Sequence, residues 1–316
     1  MTSLLLFGLC LLQAAPPVPF ERLRQLFEYD RSQPAAVTVS LNSERDGVKV
    51  YDFSFDSPVE GRVPGLLVVP PGKGRFPVIL YGHWMMTGSP LRNKAEFLDE
   101  AIVMAHAGAM SVLLDSPLVR KEMPEETDPM EGRGPHAQVQ MAKEWRRALD
   151  IVLARQDADP GRVAYVGHSF NAGVGAKLAG IEKRITSFVL MANQYSLREF
   201  IYDEQNPVMV AERKKRGEAW IKAYFDKFPW DDSRPFAERS APAAVFLQYG
   251  RKDEPLPPSA ARLSFNRFAE PKQMEFYDAG HELNAAARVD RAKWLASRLK
   301  LRAPDVEALN RIAPLR

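Results

Sequence analysis

The spacing of apolar and polar residues changes part-way along the chain. In the N-terminal part, short runs of alternating or clustered apolar residues predict β-strands at residues 48–55, 65–69 and 77–82, with a turn at PPGKGRF before the last of them. Because these three strands follow one another so closely, we expect the sheet to begin with antiparallel pairing.

Further along, apolar runs typical of buried strands alternate with segments of helical periodicity. The predicted strands are residues 110–116, 163–167, 185–191, 243–250 and 273–279. The predicted helices are residues 19–29, 93–107, about 141–152, the segment after Ser169, 259–268 and 285–299. Asn93 followed by Glu96 has the spacing of a capping box, which predicts the start of the 93–107 helix.

This alternation predicts parallel strands joined by right-handed crossovers, with helices on both faces of the sheet. The expected fold class is therefore α/β, with a doubly wound, mostly parallel sheet preceded by antiparallel N-terminal strands. We expect the domain to span residues 45–302, between an N-terminal extension at 15–44 and a C-terminal tail at 303–316. The connection at about 194–240 is longer than a crossover needs, which predicts a helical lid over the carboxyl edge of the sheet.

The first residues have the pattern of an export signal. The apolar run LLLFGLCLL at residues 4–12 is followed by QAAPP and is too short to span a bilayer about 30 Å thick. We expect a signal peptide at residues 1–14, cleaved after Ala14, and hence a secreted or periplasmic protein without stable membrane insertion after cleavage. A buried N-terminal helix is the alternative. Cys10 is the only cysteine, so the mature chain would contain no intrachain disulfide.

Composition and charge exclude one class of partner. Hydrophobic residues make up 46% and charged residues 26% of the 316 positions, which is ordinary for a soluble globular protein. The formal net charge is only +3, and acidic residues flank the densest basic run, ERKKRGE, as on a solvated helix face. Since no stripe of Lys and Arg interleaved with aromatic residues is present, we do not expect nucleic acid as a partner.

The stretch YVGHSFNAG carries the candidate chemistry. A short apolar strand runs into a helix there, and Ser169 lies at the corner, either as a helix cap or as a nucleophile. Asp253 in QYGRKDEP and His281 in YDAGHELN each follow a later predicted strand. Because the carboxyl ends of parallel strands lie at one edge of a sheet, the three side chains could meet there. Their order, Ser then Asp then His, favours a nucleophile.

The chain resembles serine hydrolases of the α/β-hydrolase superfamily and is most similar to the dienelactone-hydrolase-like and prolyl-oligopeptidase-like esterase branch. The resemblance covers roughly residues 48–299 and rests on GRVPGLLVVPPGKGRFPVILYGHW, RRALDIVLARQDADPGRVAYVGHSFNAG, FLQYGRKDEPLPP and FYDAGHELN. It implies that Ser169 is the nucleophile, Asp253 the acid and His281 the base. Glu254 is a rival acid, and Asp253 is preferred because it directly follows GRK, where the resemblance puts the acid.

Two positions depart from the pattern of this family. The second glycine of the nucleophile elbow is replaced by Asn171, whose side chain must fit against the strand or lean toward the substrate pocket. The usual His-Gly after the third strand appears as YGHW, in a shifted arrangement. We expect the oxyanion to be bound by the backbone N–H of Phe170 and by that of either His83 or Trp84.

The remaining expectations concern the pocket and its ligands. Met85 and Met86 follow the oxyanion loop and are candidates for an apolar pocket wall, although Met is as often plain core. HELN lacks the second histidine of a zinc-binding H-E-x-x-H helix, so we expect no metal and no cofactor. The expected function is hydrolysis of a small-molecule carboxylic ester through an acyl-enzyme. A small peptidase or amidase of the same fold and a catalytically silent binding protein stay open as alternatives.

Overall fold

The computed structural model describes residues 18–120, 128–193, 197–254 and 256–315. The strands are β1 (Thr38–Arg45), β2 (Val48–Asp56), β3 (Arg62–Val69), β4 (Phe76–Gly82), β5 (Met110–Leu114), β6 (Ala158–His168), β7 (Ser187–Met191), β8 (Ala244–Gly250) and β9 (Lys272–Tyr277). The predicted signal peptide at residues 1–14 lies outside the described residues and stays a prediction.

Helices of very different length connect these strands. They are α1 (Phe20–Gln25), α2 (Leu98–Ala107), α3 (Pro117–Arg120), α4 (Arg133–Leu153), α5 (Phe170–Ile181), α6 (Leu197–Ile201), α7 (Pro207–Arg216), α8 (Glu218–Lys227), α9 (Arg234–Ala237), α10 (Pro258–Arg267), α11 (Ala285–Leu299) and α12 (Val306–Arg311). Among the described residues, none of them combines the length and apolar character needed to cross a bilayer.

The strands form one sheet in the order β1-β2-β3-β5-β4-β6-β7-β8-β9. β1, β2, β3 and β5 pair antiparallel to one another in turn, and from β5 to β9 every pairing is parallel. The predicted fold class is confirmed. The expectation that the strand at 77–82 belongs to the antiparallel part is wrong, because β4 lies between β5 and β6 and runs parallel to both. Its nearly complete burial suits such a central position.

Helices cover both faces of the sheet and enclose two apolar cores. One core contains side chains from α1, α4, α5 and α9, and the other contains side chains from α2, α11 and α12. Between α2 and α11, Arg291 forms a buried ion pair with Glu100, with 2.5 Å between Nη2 and Oε2. Because helices cover both faces of the sheet, loops and polar side chains collect at the ends of the central strands.

The two flanks of the predicted domain contain structure that the sequence analysis did not predict. Strand β1 falls largely in the predicted extension at 15–44; Val39 and Leu41 alternate with polar residues there, but nearly all side chains of this edge strand are exposed. The predicted tail at 303–316 contains α12, whose Leu309 is fully buried. Arg288 donates to the carbonyl oxygens of Leu309 (2.8 Å) and Ile312 (3.1 Å). Both flanks therefore pack on the domain.

Candidate active site

Ser169 lies in the sharp turn between β6 and α5. Its backbone angles, φ 53° and ψ −110°, are unfavourable for a residue with a Cβ and persist only where the surroundings enforce them. Gly167 is required here, because a Cβ at that position would lie 2.4 Å from the carbonyl oxygen of Asn171. The Ser169 side chain makes no capping hydrogen bond to α5. The hydroxyl is thus presented at the carboxyl edge of the sheet and does not serve as a helix cap.

Ser169, His281 and Asp253 form a chain of hydrogen bonds. His281 Nε2 lies 2.8 Å from Ser169 Oγ, and His281 Nδ1 lies 2.8 Å from Asp253 Oδ2. Because a carboxylate only accepts, Nδ1 carries the proton and Nε2 can accept from the serine hydroxyl. Asp253 is buried and accepts a second bond from the Leu256 N–H (3.1 Å), whereas Glu254 is exposed. The three side chains expected to meet at this edge are in contact.

Asn171 does not line a pocket, so the expectation that it contributes to the substrate site is wrong. Its fully buried side chain donates from Nδ2 to the His83 carbonyl (2.7 Å) and accepts at Oδ1 from Trp145 Nε1 (3.2 Å). A Cβ at Gly82 would lie 2.6 Å from the Cβ of Asn171, so the glycine makes room for the amide. The Asn171 amide ties the elbow to the loop after β4.

The loop after β4 was expected to supply an N–H group of His83 or Trp84 to the oxyanion, and only part of this expectation holds. The Trp84 N–H donates to Glu96 Oε2 at 2.5 Å, so the expectation that this N–H is free for an oxyanion is wrong. The His83 ring lies in the interior, where Nε2 accepts from the Ser116 N–H (2.9 Å) and Nδ1 donates to the Trp84 carbonyl (2.6 Å). Burial lowers the pKa of His83, which keeps the ring neutral in this arrangement.

Phe170 keeps a donor at the position that the sequence predicts. It is the first residue of α5, directly after Ser169. The first N–H groups of a helix have no partner within the helix, and the helix dipole adds partial positive charge there. The Phe170 N–H is therefore suited to bind negative charge that develops beside Ser169.

Glu96 has a role that the sequence reasoning missed. Helix α2 begins at Leu98 without a side-chain cap, so the predicted capping box at Asn93 and Glu96 is wrong. The buried Glu96 carboxylate instead contacts His168 Nδ1 (2.7 Å) with Oε1 and accepts the Trp84 N–H with Oε2. The sequence signals for this contact were a polar residue beside the nucleophile, His168, and a glutamate before an apolar helix, Glu96. No spacing rule pairs these two positions.

His168 links this carboxylate to the segment that carries His281. Its Nε2 lies 2.8 Å from the His281 carbonyl oxygen and must donate, because a carbonyl only accepts. The His168 ring also lies between two other rings, with centroids 5.1 Å from Trp84 and 5.6 Å from His281. Glu96 and His168 together connect the loop after β4 to the backbone of His281.

A cavity of about 350 Å³ opens beside Ser169 and His281. Its apolar lining consists of Met86, Phe170, Gly173, Ala192, Phe200 and Leu256, and its polar lining beyond the Ser-His pair consists of Gln138, Lys177, Asp231 and Ser233. Met85, by contrast, is half-buried and is not among the described lining residues. The described part of the 194–240 connection supplies three of the lining side chains, so this insertion lies over the carboxyl edge as expected.

In the described parts of the chain, no group of three or more His, Cys, Asp or Glu side chains is arranged to hold a metal ion. At this edge the structure brings together a hydroxyl, an imidazole, a carboxylate and a backbone N–H group.

Comparison with known proteins identifies similar structures and no similar sequence family. No protein-family model matches the chain, and no curated protein matches it. The solved acetyl xylan esterase from Paenibacillus sp. R4 is 21% identical with a TM-score of 0.69, over 89% of this chain and 93% of that one. Acetyl xylan esterase 1 from Thermoanaerobacterium sp. JW/SL YS485 is 17% identical with a TM-score of 0.71, over 90% and 95%.

A third solved structure carries the fold name in its description. The alpha/beta hydrolase GrgF from Penicillium sp. sh18 is 14% identical with a TM-score of 0.58, over 79% of this chain and 99% of that one. At identities this low, likeness of structure establishes the fold and leaves the reaction to be argued from the site. The chain has the α/β-hydrolase fold.

Proposed function

We propose that this α/β-hydrolase-fold chain cleaves carboxylic esters through an acyl-enzyme on Ser169. The observation that carries the proposal is the hydrogen-bond chain from Ser169 through His281 to Asp253, which ends in an open cavity. A serine hydroxyl is a weak nucleophile until a neutral imidazole takes its proton, and a buried carboxylate stabilises the imidazolium that results.

In the first half of the reaction, Ser169 Oγ attacks the acyl carbon while His281 Nε2 takes its proton. Negative charge moves to the carbonyl oxygen, which accepts from the Phe170 N–H. A second donor would come from the loop after β4, and of the two residues predicted there, His83 is the one whose N–H is not donated to Glu96. Each such donor lowers the barrier by about 3 kcal/mol.

In the second half of the reaction, the imidazole of His281 first acts as an acid and then again as a base. The imidazolium of His281 gives its proton to the leaving alcohol as the bond between the acyl carbon and the alcohol oxygen breaks. A water molecule then loses a proton to His281 Nε2 and attacks the acyl carbon, and Ser169 Oγ regains a proton as the acid leaves. Asp253 keeps the ring in one orientation throughout, through its bond to Nδ1.

We prefer an ester over an amide as the substrate because of how the structural neighbours are described. Two of them are described as acetyl xylan esterases and another as methylesterase BT1017. Esters also need less assistance to expel the leaving group than amides do, so the same hydrogen-bond chain should cleave them faster. A catalytically silent binding protein is disfavoured by the intact contact between Ser169 and His281.

Matched esters and amides of the same short-chain acids, assayed with wild-type protein and Ser169→Ala, test the proposal. We expect turnover of the esters, slower turnover of the amides, and a loss in kcat of at least about 10³-fold in Ser169→Ala. Amides turned over faster than esters would make the protein an amidase or peptidase. Undiminished activity in Ser169→Ala, or no turnover by the folded wild type, would contradict the proposal.

We also propose, from the sequence, that residues 1–14 direct export. The apolar run and the small residues after it support this. Expression of the full chain in a bacterium that secretes through such signals, followed by intact mass measurement of the periplasmic protein, should give a chain that begins at Ala15. A full-length chain found only in the cytoplasm would contradict it.

A further inference from the structure

A lysine side chain lies buried in the wall of the cavity. Lys177 follows Ser169 by eight residues along α5, about 12 Å along the helix axis, and it is only 1% exposed. In a helix, side chains point back toward the N-terminus, so its ammonium group is directed toward the Ser169 end of α5. The lining of the cavity therefore contains both the candidate nucleophile and a buried lysine.

The described residues satisfy this ammonium group only in part. Lys177 Nζ donates to Gln138 Oε1 (2.5 Å) and lies 3.4 Å from Ser233 Oγ. Among the described residues, no carboxylate is within the 4.0 Å of an ion pair. Buried charges are normally paired or fully hydrogen-bonded, and an ammonium has three N–H donors for these two neutral acceptors. One donor is left for a group inside the cavity.

A carboxylate lines the same cavity from the helical insertion. Asp231 accepts from the hydroxyl of Tyr224 (2.8 Å), and burial raises the pKa of Asp231 while nearby Lys177 opposes the rise. Asp232 is buried beside it. The Lys177–Asp231 end of the cavity thus offers both a donor and an acceptor. A plain alkyl chain placed there would displace water from both groups without replacing the hydrogen bonds.

An anionic group fits this end less well than an uncharged one. A carboxylate could pair with Lys177, but it would also face the carboxylate of Asp231, and like charges at short range repel strongly in a buried site. A hydroxyl both donates and accepts, so it can bond to Lys177 and to Asp231 at once. The polar lining is complementary to neutral hydroxyl groups.

We propose that the Lys177–Asp231 end of the cavity binds an uncharged, hydroxyl-bearing part of the ester substrate, with Lys177 donating to the hydroxyl and Asp231 accepting from it. The inference rests on the proposed ester hydrolysis and assigns its substrate class. It makes Lys177 and Asp231 determinants of specificity, without a part in the bond-breaking steps.

Two pairs of esters that differ only by a hydroxyl in place of a methyl group test the inference. Ethyl 3-hydroxybutanoate and ethyl 3-methylbutanoate place the difference in the acyl part, and 2-hydroxyethyl butanoate and propyl butanoate place it in the alcohol part. We expect wild-type kcat/KM to favour the hydroxyl member of at least one pair by about tenfold or more, because a site built to bond a hydroxyl rejects its apolar isostere. Equal values, or preference for the methyl member in both pairs, would overturn the inference.

The variant Lys177→Met assigns the preference to the lysine. We expect it to abolish the preference for the hydroxyl members, because the contact to the substrate hydroxyl is removed. Lys73→Met, at an exposed turn, serves as the matched control and should keep the wild-type preference. A preference that survives in folded Lys177→Met would overturn the inference, and Asp231→Leu, which removes the proposed acceptor, provides the same test if Lys177→Met does not fold.

Two further outcomes separate this inference from its premise. Monoethyl succinate, which carries a carboxylate, should be a poorer substrate than the hydroxyl esters, and the reverse order would overturn the choice of an uncharged group. If the folded wild type hydrolyses none of these esters, the proposed function itself fails. Equal hydrolysis within both pairs would leave ester hydrolysis intact and overturn only the substrate class.

Discussion

Two carboxylate–imidazole pairs lie side by side in this molecule, and only one of them faces a hydroxyl. In the first pair, Asp253 contacts Nδ1 of His281 at 2.8 Å, and Nε2 contacts the Ser169 hydroxyl at 2.8 Å. In the second, Glu96 contacts Nδ1 of His168 at 2.7 Å, and Nε2 contacts a backbone carbonyl at 2.8 Å. The two rings are 5.6 Å apart and inclined by 27°.

The third partner decides what each imidazole can do. A hydroxyl can donate to an unprotonated Nε2, so His281 is arranged to act as a base. A carbonyl can only accept, so Nε2 of His168 must hold a proton and cannot take one from a substrate or a serine. The carboxylate is common to both pairs and therefore does not by itself identify a catalytic histidine. We infer that His168 positions the segment of His281 and takes no part in proton transfer.

The largest expected effect in this comparison comes from Asp253→Asn. The asparagine amide can donate to Nδ1, which would leave the proton on Nε2 and turn a donor toward Ser169. We expect kcat to fall by about 10³- to 10⁴-fold, with near-UV circular dichroism like that of the wild type. Glu254→Gln, at the exposed neighbouring carboxylate, is the control and should retain activity. A fully active Asp253→Asn would remove Asp253 from the mechanism.

A smaller effect is expected from His168→Phe, which keeps a ring between Trp84 and His281 but removes both hydrogen bonds. A misplacement of the His281 segment by a fraction of an ångström should lower kcat by about 10- to 100-fold. Because His168 exchanges no proton in the reaction, the pH dependence of kcat in His168→Phe should have the same shape as in the wild type. The kcat of Glu96→Gln should lie between those of the wild type and His168→Phe. A pH profile that loses its acidic limb in His168→Phe would identify His168 as a base and contradict the comparison.

The smallest effect is expected at Asn171, which holds the same loop from the nucleophile elbow, and it is an effect on stability. Asn171→Ala leaves the His83 carbonyl and the Trp145 indole N–H without their partner, which should lower the free energy of unfolding by about 1–3 kcal/mol. Urea denaturation measures this, and Asn42→Ala, at an exposed bond to Asp52, is the control with little expected change. An unchanged midpoint for Asn171→Ala would show that the amide does not hold the loop.

The sequence predicts the parts of this site that depend on strand order. Ser169, Asp253 and His281 each follow a strand, and parallel strands bring such positions to one edge, so their meeting could be expected from the pattern alone. The antiparallel edge strand β1 was missed although Val37, Val39 and Leu41 alternate with polar residues, a period of two that is typical of a strand.

The neighbours of the reacting groups are harder to predict, because their partners are distant in sequence and chosen by packing. Glu96 matched a local capping rule, yet its carboxylate turns into the interior to meet His168. Asn171 occupies a position where glycine is usual, and only the space left by Gly82 shows where its amide goes. Local rules describe residues near each other in the chain, whereas these contacts join separate loops.

The most direct measurement of the central claim is the rate at which a fluorophosphonate labels the protein, with the modified residue identified by peptide mapping. We expect a single adduct on Ser169 in the wild type, at least about 10³-fold slower labelling in His281→Asn, and labelling within about 100-fold of the wild type in His168→Phe. An adduct at another residue, or wild-type labelling in His281→Asn, would contradict the account that His281 activates Ser169.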